Sequence, residues 1–320
     1  MIRILNAEPD NYSPEARQIL TSIGEVVEKR LSQAELSKWV SDFDVLIVRL
    51  GLTVNREVIE AGHRLCAIVS ATTGLDHIDV DFAESRGIAV ISLKGETEFL
   101  RSIPATAEHT WGLLLALVRH IPQAFESVRA GEWNRDAFRG RDLDGKRLGI
   151  VGLGRIGEKV ARYGLAFGMQ VAAFDPYRND WPEGILRCST LEDLLRRSDI
   201  LSLHVPLNAE TYHMIGEREL GLLPRGAVLV NTARGAVVDE KALVAALKGG
   251  HLAGAAVDVI ENEFDMQVYR NNPLVDYARQ YDSLLITPHL GGATVESMAA
   301  TEIFMANKLK LFLQQKGVID

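Results

Sequence analysis

The stretch from Arg147 to Asp175 constrains the fold more than any other part of the chain. An apolar run, Arg147–Val151, leads straight into Gly152-Leu153-Gly154-Arg155-Ile156-Gly157. A helical run, Glu158–Phe167, follows, and a second apolar run, Val171–Phe174, ends at Asp175. Glycines alone mark turns. In this order, strand, glycine loop, helix, strand and terminal acid form the βαβ unit that binds a dinucleotide. Gly152 permits the tight turn, Gly154 lets the backbone approach a pyrophosphate, and Gly157 lets helix and strand pack closely. The free N–H groups of the helix start then face the phosphates. Asp175 can accept hydrogen bonds from the adenosine ribose hydroxyls and would repel a 2′-phosphate, which favours NAD over NADP. Arg178 pulls the other way, because an arginine near that position can accommodate the phosphate.

Alternation extends this unit in both directions. Strand-like runs at Arg3–Asn6, Val45–Arg49, Ala67–Ser70 and Ala89–Ser92 are separated by helix-like Pro14–Ile23, Ala34–Val40, Arg56–Ala61 and Val80–Arg86. A second series starts at Arg147 and continues through VAAFD, DILSLHVP, AVLVNTA, AGAAVDV and SLLITP. Such alternation implies parallel sheets covered by helices. With 320 residues, two domains are expected. The helical tail Val295–Gln315 follows the last strand of the second series with no strand of its own, so it should return to the first domain. The expected fold is therefore α/β, with two doubly wound parallel-sheet domains: residues 102–290 inserted into a domain made of 1–101 and 291–320. Residues 104–130 read as a long helix interrupted near Pro122 and apolar around much of its circumference. Such a helix must be buried, by another domain or by a second subunit.

Composition removes several function classes. With 35 Lys and Arg against 43 Asp and Glu, no basic patch marks a nucleic-acid partner. The apolar run Trp111–Val118 is far too short to span a membrane. The N-terminus shows no secretory signal, and Cys66 and Cys188 provide neither a disulfide framework nor a four-cysteine zinc site. The strand-end groups are dispersed, so no metal site is expected. A cytoplasmic enzyme is the expectation.

A nicotinamide cofactor moves a hydride, so the protein must supply a proton donor and a substrate anchor. In these sheets ligands lie beyond the carboxyl ends of the strands. Polar groups there are His204, Arg234, the acidic stretch Asp258 to Glu263, and His289. His289 suits the acid/base role, because imidazole exchanges protons near neutrality and a carboxylate partner favours its protonated form. His204 qualifies on the same grounds. Arg234 suits a carboxylate anchor through a bidentate fork. Spacing does not choose among Asp258, Glu261 and Glu263 for the partner acid.

GKRLGIVGLGRIG, HVPLNAETYHMIG, LPRGAVLVNTARGAVVDEKALVAAL, HLAGAAVDVIENE and ITPHLGGAT stand in one order from the middle of the chain onward. With the segment from Val48, they resemble the D-isomer-specific 2-hydroxyacid dehydrogenases over nearly the whole chain. The resemblance implies a Rossmann-type NAD domain inserted into a flavodoxin-like substrate domain. It also implies interconversion of a D-2-hydroxy acid and its 2-oxo acid. It assigns Arg234 to the substrate carboxylate and oxo group, His289 to acid/base work and Glu263 to its partner, and turns His204 into a cofactor-pocket residue. Along the cofactor it places Thr106, Gly152, Gly154, Arg155, Ile156, Gly157, Asp175, Pro176, His204, Val205, Pro206, Thr211, Thr232, Ala233, Asp258, His289 and Gly291. Around the substrate it places Arg49, Leu50, Thr73, Gly74 and Arg234.

Departures from the pattern bear on the substrate. Leu50 stands where a small polar residue is common, which makes that wall more apolar and weighs against phosphoglycerate-like specificity. Phe264 follows Glu263 where a proline is common, and Glu263 itself disfavours formate, whose dehydrogenases carry glutamine there. Arg49, Lys94 and Arg101 are candidates for a distal anion. Ending at Asp320, the chain is expected to lack the regulatory domain of some phosphoglycerate dehydrogenases. A homodimer burying the Thr106–Val118 helix is expected. Phosphoglycerate dehydrogenase and hydroxypyruvate or glyoxylate reductase are the activities in view, and a nucleotide-sensing corepressor on the same scaffold is the alternative.

Overall fold

The structure is a computed structural model that describes residues 1–263, 265 and 269–319. It divides into two compact units, Met1–Ser102 with Ala293–Asp320, and Ile103–Gly292. Gly291 and Gly292 therefore fall with the inserted unit and not with the tail.

The first unit is built on strands β1 (Arg3–Asn6), β2 (Glu25–Glu28), β3 (Val45–Val48), β4 (Ala67–Ser70) and β5 (Ala89–Ser92). They are ordered β2-β1-β3-β4-β5, and every neighbouring pair is parallel. This is the flavodoxin-like order. β3 and β4 are buried along their whole length, as strands with both faces covered must be. Part of that cover is local and part is distant in sequence. Helix Pro14–Ile23, opened by the Ser13 side chain capping Ala16 N–H, buries Ala16, Leu20 and Ile23. The tail helix Val295–Gln315 packs against it and buries Met305, Ala306, Leu309 and Leu313.

The second unit carries β6 (Arg147–Val151), β7 (Gln170–Phe174), β8 (Ile185–Arg187), β9 (Ile200–Leu203), β10 (Ala227–Asn231), β11 (Leu252–Val257) and β12 (Leu284–Ile286). The order is β12-β11-β10-β9-β6-β7-β8, all parallel. Chain direction across the sheet reverses between β6 and β9, and ligands bind beyond the strand ends at such a switch point. Alternate residues feed two buried clusters. Leu148, Ile150 and Val230 face one side with Trp111, Leu114 and Leu117. Val151, Leu203 and Leu229 face the other with Leu243 and Leu274.

The long apolar stretch resolves into two helices, Ala105–Val118 and Ile121–Arg129, with Pro122 in the first turn of the second. The first is covered by its own unit. Trp111 stacks on Phe167 with centroids 4.6 Å apart, and its indole N–H donates to Val160 O. The apolar side of the helix is therefore buried within its own unit. The exposed apolar row is on the following helix, at Ile121, Phe125 and Val128, with Trp133 beyond it. β2, β8 and helix Thr97–Arg101 are additions to the sequence reading.

Candidate functional site

At the β6–β9 switch point the glycine loop has the geometry its motif requires. Gly152 has φ 86°, and a Cβ there would lie 2.6 Å from His204 O and 2.8 Å from Val205 Cγ1. On Gly157 a Cβ would lie 2.1 Å from Gly152 O, so only glycine lets the helix start close on the loop. Gly154 differs: a Cβ there would meet nothing within 4 Å. It caps helix Arg155–Ala166 without a side chain, which leaves an open cradle before a helix N-terminus. Asp175 accepts from Leu153 N–H and from Tyr177 N–H, each at 2.9 Å, and so lies against the glycine loop. Arg178 is engaged by Glu158 at 2.8 Å and by Leu153 O, so its charge is already compensated. These residues fit a dinucleotide.

His204 begins the loop after β9. Its Nε2 lies 2.8 Å from Ser202 Oγ, while Nδ1 is shut from solvent with no partner. Burial pushes the ring down to about 3, so it is neutral at ordinary pH. Thr211 Oγ1 donates to Pro206 O at 2.6 Å and closes the loop that carries Val205 and Pro206. Pro176 opens the turn after Asp175. Thr232 Oγ1 meets Thr110 Oγ1 at 2.8 Å, and Ala233 N–H is held by Asn231 Oδ1 at 3.0 Å.

The loops after β11 and β12 are joined through Asp258, which is 1% exposed. Its carboxylate accepts from Leu290 N–H and Gly291 N–H, each at 2.7 Å, from Thr287 Oγ1, and from His109 Nε2 at 3.0 Å. Burial pushes this carboxyl up, but those four donors outweigh it and hold it below its ordinary value. Asp258 O also accepts His289 N–H at 2.8 Å. One residue thus fixes the backbone on both sides of His289. His289 takes φ 56°, which is strained for a side chain of this kind.

His289 Nδ1 lies 2.6 Å from Glu263 Oε1. Among the three acids that spacing left open, Glu263 is the one paired with the ring; Glu261 turns to His213 Nε2 at 3.2 Å. Arg234 donates to Ala233 O at 2.7 Å, and its own carbonyl accepts from Asn231 Nδ2 at 2.9 Å. Next to it, a Cβ on Gly235 would lie 2.0 Å from the Ile260 carbonyl carbon. The arginine loop and the loop leading to Glu263 therefore touch backbone to backbone. Thr106 lies beside Gly291, 3.3 Å from where a Cβ would stand. Phe264 lies outside the described residues.

In the first unit Arg49 is turned inward. Its guanidinium pairs with Glu302, which is 1% exposed, and donates to Asp10 O at 2.8 Å. Lys94 and Arg101 are exposed. Leu50 follows Arg49, half-buried. Thr73 and Gly74 form a loop braced by Thr72 Oγ1 donating to Gly74 O at 2.8 Å. Beneath it Ser70 Oγ joins Thr72 Oγ1 to His77 Nε2.

Sequence reading missed His109, Thr110, Thr287, Asn231, Glu240 and Glu302. A signal existed for the first two: with Thr106 they form a polar stripe at helical spacing on an otherwise apolar helix, and buried polar groups need partners. Among the described residues no cluster suited to a metal ion occurs.

The chain is similar to known proteins along nearly its whole length. The family described as D-isomer specific 2-hydroxyacid dehydrogenase, NAD binding domain, matches residues 111–291. The chain is 40% identical to a D-3-phosphoglycerate dehydrogenase of Methanocaldococcus jannaschii over 98% of its own length, but spans only 58% of that protein. It is 38% identical to a hydroxypyruvate reductase of Thermotoga maritima, covering 94% of this chain and 95% of that one. Among solved structures it is similar to a D-lactate dehydrogenase of Aquifex aeolicus complexed with NAD and lactic acid. There the TM-score is 0.80 and the identity 31%, over 99% and 96% of the two chains. All three are named as enzymes, which favours an oxidoreductase over a nucleotide-sensing protein.

Proposed function

Because the chain belongs to the D-isomer specific 2-hydroxyacid dehydrogenases, oxidoreductases that use NAD, we propose that it reduces a small 2-oxo acid to the D-2-hydroxy acid, or runs the reverse. The observation that carries the proposal is the His289–Glu263 pair at 2.6 Å. In reduction the carbonyl carbon gains a hydride and the carbonyl oxygen gains a proton. NADH, when bound, supplies the hydride. His289 supplies the proton from Nε2, because Nδ1 is committed to Glu263, and the carboxylate stabilises the protonated ring before transfer. Once the proton has left, the neutral ring is ready to take one back from the alcohol. Arg234 binds the substrate carboxylate and polarises the oxo group, and the Thr73–Gly74 loop offers backbone N–H groups suited to a carboxylate.

Gly152, Gly154, Arg155, Ile156 and Gly157 cradle the pyrophosphate, and Asp175 takes the ribose hydroxyls. The compensation of Arg178 by Glu158 supports NAD over NADP. Asp258 and Thr106 border the nicotinamide end, with His204, Val205, Pro206, Thr211, Thr232 and Ala233 along the remainder. Since Glu302 already matches the charge of Arg49, a distal phosphate would compete with a buried carboxylate. The expected substrates are therefore glyoxylate and hydroxypyruvate ahead of hydroxypyruvate 3-phosphate.

A homodimer joined through the exposed row Ile121, Phe125 and Val128 belongs to this proposal, as does a cytoplasmic location. No described helix is long and apolar enough to cross a membrane, and both cysteines are free thiols.

The test is initial rates of NADH and NADPH oxidation with glyoxylate, hydroxypyruvate, its 3-phosphate, pyruvate and branched or aromatic 2-oxo acids. Turnover with NADH on the small unphosphorylated acids is expected. Binding of NADH without turnover on any of them would overturn the assignment.

A further inference from the structure

Glu263 lies between Asp258, which follows β11, and Asn272, at the start of helix Pro273–Ala278. Glu240 touches the chain on both sides of Glu263, at Glu261 and at Asn272. It is the first residue of helix Glu240–Lys248 and is 6% exposed. One carboxylate oxygen accepts Glu261 N–H at 2.7 Å, and the other accepts Asn272 Nδ2 at 2.6 Å. Asn272 is buried as well, and its Oδ1 caps Leu274 N–H at 2.9 Å and Val275 N–H at 3.3 Å. That cap fixes which end of the amide faces Glu240. Only a group with two acceptors and no donor satisfies both contacts. Glu261 is held a second time, through its side chain, by His213. Asn262 takes φ 55°, so the two residues before Glu263 are locked into a turn with little freedom.

We propose that Glu240 is a positioning residue for the acid/base pair: it holds Glu261 and Asn272, on either side of Glu263 in the chain, and so sets the carboxylate of Glu263 against His289. The inference rests on the reading of Glu263 and His289 as that pair. Burial pushes the Glu240 carboxyl above its ordinary value despite its two donors. A buried acid is costly to keep, and an ordinary helix start does not need one, since Asp239 already caps Lys241 and Ala242.

The test is a polarity swap. In Glu240→Gln the amide oxygen still accepts Glu261 N–H, but its NH₂ meets the NH₂ of Asn272. The tie to Asn272 is lost, and kcat for reduction should fall roughly tenfold to a hundredfold, the scale of a small misplacement. KM for NADH should hardly change, and the pH profile should move towards that of Glu263→Gln. In Glu240→Gln/Asn272→Asp the new carboxylate accepts from the introduced amide and still caps the helix, as aspartate does well. There kcat and pH profile should return to within about threefold of the parent. Should Glu240→Gln fail to fold, Asn272→Gly removes the donor at a position where glycine is a tolerated cap, and should show the same loss. A variant that loses thermal stability while kcat and pH profile stay put overturns the proposal, and so does a double variant that regains stability without kcat. If Glu263→Gln itself leaves rate and profile unchanged, the acid/base reading falls and takes this inference with it. A loss in Glu263→Gln alone sinks only the role of Glu240.

Discussion

Desolvation has different consequences at Asp258, which is buried, and at His204, which is half-buried with Nδ1 shut from solvent. Asp258 keeps its charge because four donors replace the water it lost. His204 has Ser202 on one nitrogen and nothing on the other, so its ring stays neutral, with its proton affinity pushed down to about 3. The linkage follows from that sign. Above about pH 6.5 both folded and unfolded chains hold the ring neutral, and stability is unaffected. As pH falls from there towards about 3, the unfolded chain binds a proton that the folded one refuses, and stability is lost at up to about 1.4 kcal/mol per pH unit. His204→Gln keeps a hydrogen bond to Ser202 and removes the titration. Calorimetry at pH 7, 6 and 5 should show the wild-type Tm falling more steeply than that of the variant. Parallel curves would mean that the ring is protonated in the folded protein.

Within the β6–helix–β7 unit, two glycines of one motif should fail in different ways. Gly154→Ala adds a methyl to open space at φ −76°, so Tm should be unchanged while NADH Kd rises, because that space is where the pyrophosphate approaches. Gly157→Ala drives a methyl to 2.1 Å from Gly152 O, so Tm and NADH binding should both fall, with overpacking costing about 1–3 kcal/mol. Equal Tm losses in the two, read by thermal unfolding beside calorimetric NADH titration, would refute the distinction.

This unit was legible because its pattern is local: a buried strand, turn glycines and an amphipathic helix in sequence. The tail helix Val295–Gln315 was legible for the same reason. β2 was not, since EVVE is a short, half-buried edge strand with charged ends. β8 is shorter still, and exposed at two of its three residues. The ties made by Glu240 to Asn272, Arg49 to Glu302 and His109 to Asp258 join residues far apart in the chain. Spacing carries no signal for such pairs, and only the fold brings them together.

The apolar surface left on the molecule is uneven. In the first unit the exposed apolar side chains of the tail helix, Val295 and Leu311, lie far apart on it, and single residues of this kind are ordinary. In the second unit Ile121, Phe125 and Val128 recur at helical spacing on a helix that buries none of its residues, with Trp133 at 89% exposure close by. A helix with a half-exposed apolar row and no buried residue calls for a partner, and a second copy of the chain is the partner that symmetry supplies most simply. Phe125→Asp puts a charge in the centre of that row. Because Phe125 is 61% exposed, with the Arg129 guanidinium over its ring, thermal stability of the separated subunit should change by no more than about 0.5 kcal/mol. Sedimentation should show a dimer for the parent and a monomer for the variant at micromolar concentration. A monomeric parent would show that the row is not an interface between copies. A dimeric variant would place the interface on another face of the molecule.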